Sequence, residues 1–203
     1  MNEGPIERIA EEQQERAWIE AFRERDKSGF DGLVLKYKDP VFNLCYRMLG
    51  DYEEAGDCAQ ETFVKVYRSL AGFRFQSRFS TWLYAIAVNT CKNRVRSAGY
   101  RRSKEAFRLG PVNDARDGDS SAEEIRDPGP SPLAQLEKRE RDAQIQKAID
   151  ALPQDARTVV VLRDIDGLSY EEISGVTGYN PGTVRSKLAR ARLQLRELLK
   201  GVI

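Results

Sequence analysis

Residues 169–188 read SYEEISGVTGYNPGTVRSKL, and the boundary signals of two helices fall inside this stretch. Ser169 followed by Glu172 is a capping box, in which each side chain binds the other residue's backbone N–H where a helix starts. Gly178 suits the left-handed residue that ends a helix, while Asn180 and Pro181 start another with an N-cap and a first-turn proline. The stretch therefore predicts two short helices joined by a tight turn, the outline of a helix-turn-helix.

The second of these helices is predicted to be amphipathic. Its apolar residues recur at three- and four-residue steps and are expected to face the domain core: Val184, Leu188, Ala191, Leu195 and Leu198. The residues left outside are polar or basic: Thr183, Arg185, Ser186, Lys187 and Arg190. Arginine can bind guanine with two hydrogen bonds, so this face fits the major groove of DNA. A helical hairpin with an ordinary charged surface is the alternative.

Helical spacing continues outward from this motif through both halves of the chain, and no stretch alternates as a strand would. The predicted helices are 19–25, 30–48, 51–70, 81–98, 133–150, 155–164, 170–176 and 181–199. Only Tyr170 and Tyr179 among the aromatic residues follow Phe107, so the halves should have different cores. We predict an all-α protein of two small helical domains, at 19–99 and 133–203, with an N-terminal extension at 1–18 and a flexible Pro-rich linker at 100–132.

The composition excludes several function classes. The chain has no histidine, which argues against triad hydrolases and histidine-ligated metals, and we expect no catalytic residue, metal or cofactor. Cys45, Cys58 and Cys91 lie among apolar residues and are predicted to be buried thiols. No apolar run is long enough to cross a bilayer and the N-terminus is acidic, so we expect a cytoplasmic protein without membrane insertion.

The near-neutral net charge of +1 hides segregated charge. Residues 92–108 carry seven basic side chains against one acid, and residues 185–200 carry six against one. Residues 114–127 between them carry six acids against two basic side chains. Two basic stretches on either side of an acidic one suggest two contact surfaces for a polyanion, although solvated helix faces also fit.

Aromatic and basic residues alternate at 71–79, which read AGFRFQSRF. Unstacked bases can stack on such aromatics, so Phe73, Arg74 and Arg78 are candidates for binding single-stranded DNA. The next helix, which we expect Ser80 to cap, carries a second candidate face: Asn89, Lys92, Asn93 and Arg96. The alternative is that the aromatics fill the core, and for Phe79 and Tyr84 the sequence favours that alternative.

The helix before this loop is acidic, with Asp57 and Glu61 on either side of Gln60. Its charge rules it out as a DNA surface. It is either a solvated face or a docking surface for a basic partner.

Taken together, five blocks resemble the extracytoplasmic-function (ECF) sigma factors of bacterial RNA polymerase, of the sigma-E type. They are DCAQETF at 57–63, FSTWLYAIAVNT at 79–90, LP at 152–153, RDIDGLSYEEI at 163–173 and GTVRS at 182–186. The resemblance implies that the domains are sigma regions 2 and 4. It places Asp57, Gln60 and Glu61 on the helix that docks to the coiled coil of the β′ subunit. The loop from Phe73 to Arg78, with Asn89, is placed at the −10 element, and Arg185, Ser186 and Arg190 at the −35 element.

The function implied is a promoter-specificity subunit that melts DNA only with core polymerase, which it contacts through β′ and β, and is monomeric when free. The resemblance also implies an anti-sigma factor and a stress regulon, and anti-sigma binding could hold the protein at a membrane. Two alternatives stay open at this point. A signal-responsive repressor would use the same motif as a dimer, but no long heptad seam is present. An enzyme would need a phosphate-binding glycine loop or a carboxylate pair, and neither is visible.

Overall fold

The computed structural model describes residues 5–97 and 132–200, and those residues form helices without strands. The N-terminal domain (5–97) contains α1 (Pro5–Arg23), α2 (Ser28–Leu49), α3 (Tyr52–Ser69), a 3₁₀ turn (Leu70–Gly72) and α4 (Phe79–Arg96). The C-terminal domain (132–200) contains α5 (Pro132–Asp150), α6 (Gln154–Val160), a π-helical turn (Val161–Ile165), α7 (Tyr170–Thr177) and α8 (Pro181–Leu198). None of these helices is long and apolar enough to span a membrane.

The predicted all-α fold of two helical domains is confirmed. The predicted linker lies outside the described residues except at Pro132, where α5 begins. The first helix was predicted wrongly, because α1 begins at Pro5 rather than at residue 19. Its many Glu and Gln residues hide the helical periodicity, but Ile19 is fully buried and Glu15 accepts hydrogen bonds from Lys36 and Tyr37.

The start of α4 is a second correction. Ser80 does not cap this helix, because α4 begins at Phe79 and its N-cap position is Arg78, with no side-chain capping hydrogen bond. The extended backbone of Arg78 therefore places its guanidinium at the end of the aromatic loop, beside α1 and the C-terminal domain.

Helices α2, α3 and α4 enclose the core of the N-terminal domain. Cys45, Cys58 and Cys91, one from each helix, are fully buried free thiols, as predicted. Phe79 and Tyr84 are 3% and 9% exposed, which confirms their assignment to the core.

The C-terminal core is aliphatic, and its fully buried residues include Val159, Leu162 and Ile173. The predicted difference in core composition is therefore confirmed. The sequence pattern did not predict that the two cores join. Helix α7 packs on α4, α5 and α6 pack on α2, and the buried residues of both domains form one continuous cluster.

Candidate nucleic-acid interface

The helix-turn-helix forms through the predicted caps. Ser169 Oγ accepts a hydrogen bond from the backbone N–H of Glu172 (3.2 Å), and a Glu172 carboxylate oxygen accepts one from the Ser169 N–H (2.8 Å). Gly178 ends α7 with φ of 75°, a value in the left-handed region that favours glycine. Asn180 Oδ1 accepts from the Thr183 N–H at 2.8 Å and starts α8.

Helix α8 has the predicted polar and apolar sides, but the burial of four residues differs from the prediction. Arg185, Ser186 and Arg190 are exposed, whereas Thr183 and Lys187 are half-buried. On the apolar side Val184, Leu188 and Ala191 are buried and Leu195 is half-buried. Leu198 is 47% exposed, which corrects its assignment to the core. The last turn of α8 extends beyond the buried residues against which the rest of the helix packs.

The polar face of α4 also forms. Asn89, Asn93 and Arg96 are exposed, and Lys92 is half-buried against the C-terminal domain. The opposite side of the helix is anchored by buried Leu83, Ala87 and Cys91. An amide such as that of Asn89 can donate and accept together, which suits it to reading the edge of an unpaired base.

The loop before α4 encloses an aromatic cluster. Phe73 is 5% exposed, and its ring centroid lies 5.1 Å from that of Phe75 and 5.0 Å from that of Trp82. Phe73 is therefore packed among neighbouring rings, and its stacking on a base stays a prediction. Phe75 has a positive φ of 54°, a strained value for a bulky residue. The guanidinium groups of Arg16 and Arg23 lie 4.6 and 5.0 Å from its ring centroid.

Helix α1 forms the other wall of this site. A cleft of about 340 Å³ separates α1 from the loop and is lined by both. Its lining includes Glu12 and Arg16 from α1, and Phe75, Ser77 and Arg78 from the loop. Sequence reasoning treated residues 1–18 as an extension and missed this contribution.

Arg78 and Lys92, two predicted DNA contacts, already have acidic partners. Arg78 Nε lies 2.8 Å from Glu12 of α1, and its Nη1 lies 2.9 Å from Glu172 of α7. Lys92 Nζ lies 3.7 Å from an oxygen of Asp155 in α6. The other oxygen of Asp155 lies 3.2 Å from Lys187 Nζ of α8. One carboxylate therefore joins a candidate cation of α4 to one of α8.

Asp155 and Glu172, the two carboxylates of the C-terminal domain that pair with Lys92 and Arg78, are stabilised as anions. A hydrogen bond from Tyr179 is the largest cause that lowers the pKa of Asp155, followed by Lys187 and Lys92 and opposed by burial. Burial opposes ionisation of Glu172, but hydrogen bonds from Ser169 and the charge of Arg78 outweigh it and lower its pKa. The ring of Tyr179 lies beneath both lysines, 5.7 Å from Lys92 Nζ and 4.9 Å from Lys187 Nζ.

The acidic face of α3 is exposed, as a docking surface requires. Asp57, Gln60 and Glu61 all face solvent. Glu61 forms an i,i+4 ion pair with Lys65 at 2.8 Å, and Asp57 lies 3.7 Å from Arg94. These exposed pairs are weak enough for a basic partner to replace them.

Family comparison agrees with this geometry. The Sigma-70 region 2 model matches residues 33–101 and the Sigma-70, region 4 model matches residues 142–195. Over 192 residues the chain is 38% identical to the RNA polymerase sigma-H factor of Pseudomonas aeruginosa, which covers 95% of this chain and 97% of that protein. It is 36% identical to the ECF RNA polymerase sigma factor SigW of Bacillus subtilis over 182 residues, or 90% of this chain and 95% of SigW.

These two domains, in this order, define a sigma factor. The chain belongs to the ECF family of RNA polymerase sigma factors. All candidate residues of the N-terminal domain lie within the region 2 match, and those of α8 lie within the region 4 match.

Solved structures share the fold. The structure of CnrH in complex with the cytosolic domain of CnrY superposes with a TM-score of 0.65, at 21% identity, and covers 93% of this chain and 98% of CnrH. The sigma factor RpoE of Bartonella quintana, crystallised with the anti-sigma factor NepR, gives a TM-score of 0.60 at 25% identity. That match covers 84% of this chain and 96% of the RpoE chain.

Proposed function

We propose that this chain directs RNA polymerase to a defined set of promoters, with separate surfaces for the polymerase, the −10 element and the −35 element. The observation that carries this proposal is the arrangement of three distinct faces on a family-matched scaffold: an acidic one on α3, a polar one on α4 and a basic one on α8. The chain has no catalysis of its own and acts as a monomer in the cytoplasm.

The −35 element fits α8. Arg185, Ser186 and Arg190 are exposed near the start of the helix, where a recognition helix contacts base edges. Arginine supplies bidentate contacts to guanine, and the hydroxyl of Ser186 suits a phosphate. Thr183 and Lys187 are half-buried at the edge of this face and complete the proposed −35 contacts.

The −10 element fits α4 and the loop before it. Asn89 and Asn93 are exposed amides one helical turn apart, and Arg96 extends the same face. Arg74 is exposed on the loop, while Arg78 and Lys92 would bind DNA in place of their pairs with Glu172 and Asp155. Extruding a base from a duplex costs about a few kcal/mol, so a site that holds the unpaired base stabilises the melted state.

Core polymerase fits α3. Asp57, Gln60 and Glu61 supply an acidic face for the coiled coil of β′, while region 4 approaches the β subunit. An anti-sigma factor is a further partner, because the sigma factor RpoE of Bartonella quintana, which shares this fold, was crystallised with the anti-sigma factor NepR. Binding to a membrane-held anti-sigma factor would place this soluble chain at the membrane.

The test is reconstituted transcription. Core polymerase and genomic fragments from the source organism are incubated with the protein, and transcript 5′ ends are mapped by sequencing. We expect clustered start sites with shared −10 and −35 sequences, only when both proteins are present. Start sites that do not depend on the protein contradict the proposal, and tight operator binding by a dimer without polymerase supports the repressor.

Two variants then separate docking from melting. Glu61→Lys should abolish co-elution with core polymerase, whereas Glu24→Lys makes the same charge change on another surface and should not. Asn89→Ala should co-elute normally but lower permanganate reactivity of thymines near the start site. A premelted template should restore part of this activity, because the unpairing energy is already supplied. Asn43→Ala is the matched control, and equal loss in both alanine variants would contradict the role of Asn89.

A further inference from the structure

Three thiols meet in the core of the N-terminal domain. Cys45 on α2, Cys58 on α3 and Cys91 on α4 are free and fully buried. The Cys91 thiol is in hydrogen-bond contact with both of the others. Thiols are weak hydrogen-bond donors and acceptors, so these contacts add little to stability. They do bring two pairs of sulfur atoms together, Cys58 with Cys91 and Cys45 with Cys91, and each pair joins two different helices.

Cys58 has a cation beside it. Arg94, three residues after Cys91 on α4, is hydrogen-bonded to the Cys58 thiol. The hydrogen bond with Cys91 is the largest cause that lowers the pKa of Cys58, burial opposes it, and Arg94 supports it. The hydrogen bonds with Cys45 and Cys58, together with burial, raise the pKa of Cys91. Cys58 is therefore the thiol that ionises, and Cys91 is the one that keeps its proton.

Arg94 also connects the buried thiol to the surface. Its side chain is 29% exposed, so the Cys58 thiol lies one side chain beneath the solvent. The guanidinium lies 3.3 Å from Glu54 and 3.7 Å from Asp57, which belongs to the exposed acidic face of α3. Ion pairs of this kind near the surface are weak. A swing of the guanidinium away from the thiol would therefore admit a small neutral oxidant.

We propose that Cys58 and Cys91 are an oxidative modification site, at which hydrogen peroxide produces a disulfide that shifts α3 and weakens its binding to core polymerase. The Cys58 thiolate attacks peroxide, so an S–O bond forms and the O–O bond breaks. The hydroxide that leaves takes up the proton lost by Cys58 and becomes water, and Cys58 is left as the sulfenic acid. The Cys91 thiol then attacks the Cys58 sulfur, so an S–S bond forms, the S–O bond breaks, and the oxygen leaves with the Cys91 proton as a second water.

The disulfide acts on α3 because α3 and α4 must approach each other. A covalent S–S bond is shorter than a hydrogen-bond contact between the same sulfur atoms, and a close-packed core transmits the movement. Cys58 directly follows Asp57, and Gln60 and Glu61 lie within the next turn of the same helix. Oxidation also removes the thiol to which Arg94 is hydrogen-bonded. The inference rests on the proposed role of α3 in binding polymerase.

The chemistry is tested first, without polymerase. The full chain is treated with hydrogen peroxide, remaining thiols are blocked with iodoacetamide during denaturation, and the linkage is located by peptide mass spectrometry. We expect a Cys58–Cys91 disulfide that dithiothreitol reverses. Cys45→Ala should retain it, whereas Cys58→Ala should abolish it. Mapping of the wild type identifies the pair even if a substitution in the core lowers stability. A Cys45–Cys91 linkage in its place, or no linkage, would overturn the inference.

Arg94→Gln tests the role of the cation. It removes the positive charge beside Cys58, so we expect the disulfide to form about three- to tenfold more slowly at neutral pH. Arg68→Gln removes the same charge from an exposed position on α3 and should leave the rate unchanged. Equal rates for Arg94→Gln and the wild type would show that Arg94 does not activate Cys58.

Binding to core polymerase is then compared for the oxidised and the reduced protein, after removal of peroxide. We expect the disulfide to weaken binding at least about threefold, with recovery in dithiothreitol. Cys58→Ala that has been treated in the same way should bind as it does untreated. If the disulfide forms and binding is unchanged, the modification does not act on docking and the inference is wrong. If the reduced wild type does not bind core polymerase at all, the proposed function fails instead.

Discussion

The two candidate DNA surfaces differ in what their basic side chains contact. On α8, Arg185 and Arg190 face solvent. On α4 and its loop, Arg78 and Lys92 are held by Glu172 and Asp155 of the other domain. The candidate −35 cations therefore face solvent, whereas two of the candidate −10 cations are paired with carboxylates of the C-terminal domain.

This difference suits the chemistry of the two steps. Reading a duplex groove requires no prior change in the DNA, but capturing an unpaired base is useful only when polymerase is present to keep the strands apart.

Arg157→Ala should weaken the contact between the domains and so expose the basic side chains of α4 and its loop, as those of α8 already are. It leaves buried carbonyls of both domains without this donor, and it removes the ion pair of Asp150. We expect a loss of about 3–4 kcal/mol in unfolding free energy by urea titration, and an increased radius of gyration. Arg185→Ala, an exposed arginine, should change stability by less than about 0.5 kcal/mol. An unchanged radius for Arg157→Ala would contradict its anchoring role.

Asp166 lines the groove between the domains and should make the stability of the fold depend on pH. Burial raises its pKa from 3.8 to about 7, against the opposing charge of Arg47, and its buried Oδ2 has no hydrogen-bond partner among the described residues. The protonated form is favoured in the folded state, so this contribution to stability is full below the ordinary pKa of 3.8 and is lost as the pH rises from there to about 7. Tyr84 faces it from α4 and has its own pKa raised, chiefly by burial.

Asp166→Asn removes this titration. Its unfolding free energy should exceed that of the wild type by about 3 kcal/mol above pH 7, and the difference should shrink steadily toward pH 4. Urea titrations at a series of pH values measure it. A difference that does not vary with pH would show that Asp166 does not titrate in this range. Asp164→Asn, which loses an exposed pair with Arg192, is the control.

The sequence could predict what depends on local signals. The capping box at Ser169, the left-handed Gly178 and the cap at Asn180 all act within a few residues, so the helix-turn-helix was predicted with its boundaries. The outward face of α8 followed from the same periodicity. These features depend only on backbone chemistry that repeats in any helix.

What escaped prediction depends on contacts that are distant in the chain. Arg157 and Met48 are separated by more than 100 positions, and no periodicity relates a guanidinium in one domain to a carbonyl in another. The partnership of Glu12 with Arg78 was hidden for a similar reason, since the polar α1 shows its anchoring role only through Glu15 and Ile19. Charges at such positions look like solvated surface when they are read from sequence.

Arg190→Ala tests the exposed basic face of α8. It should remove a groove contact worth about 1–3 kcal/mol and relax the preference for one −35 base, while stability stays the same. Start-site mapping on promoters randomised at the −35 element measures this preference. Arg196→Ala, an exposed arginine farther along α8, is the control. Uniform weakening at all sequences would make Arg190 a phosphate contact instead.

The smallest expected effect concerns Glu12, the second acidic partner of Arg78. Glu12 lies 2.8 Å from Arg78 but belongs to α1, so it stays beside Arg78 after the C-terminal domain leaves. Its carboxylate is 47% exposed and Arg78 is 38% exposed, so solvent screens the pair. Glu12→Gln should therefore strengthen binding of a single-stranded −10 oligonucleotide to the holoenzyme by only about 0.2–1 kcal/mol, and the gain should disappear in high salt.

The same change is also made in a Glu172→Gln background, so that Glu12 can be judged without the charge of Glu172. Gln13→Ala, a neighbouring exposed change on α1, should have no effect. If Glu12→Gln instead weakens binding, Glu12 orients the guanidinium of Arg78 toward the DNA, and α1 is a supporting part of the −10 surface rather than a competitor for it. The sign of this small change thus decides whether Glu12 competes with DNA for Arg78 or holds Arg78 in place to bind it.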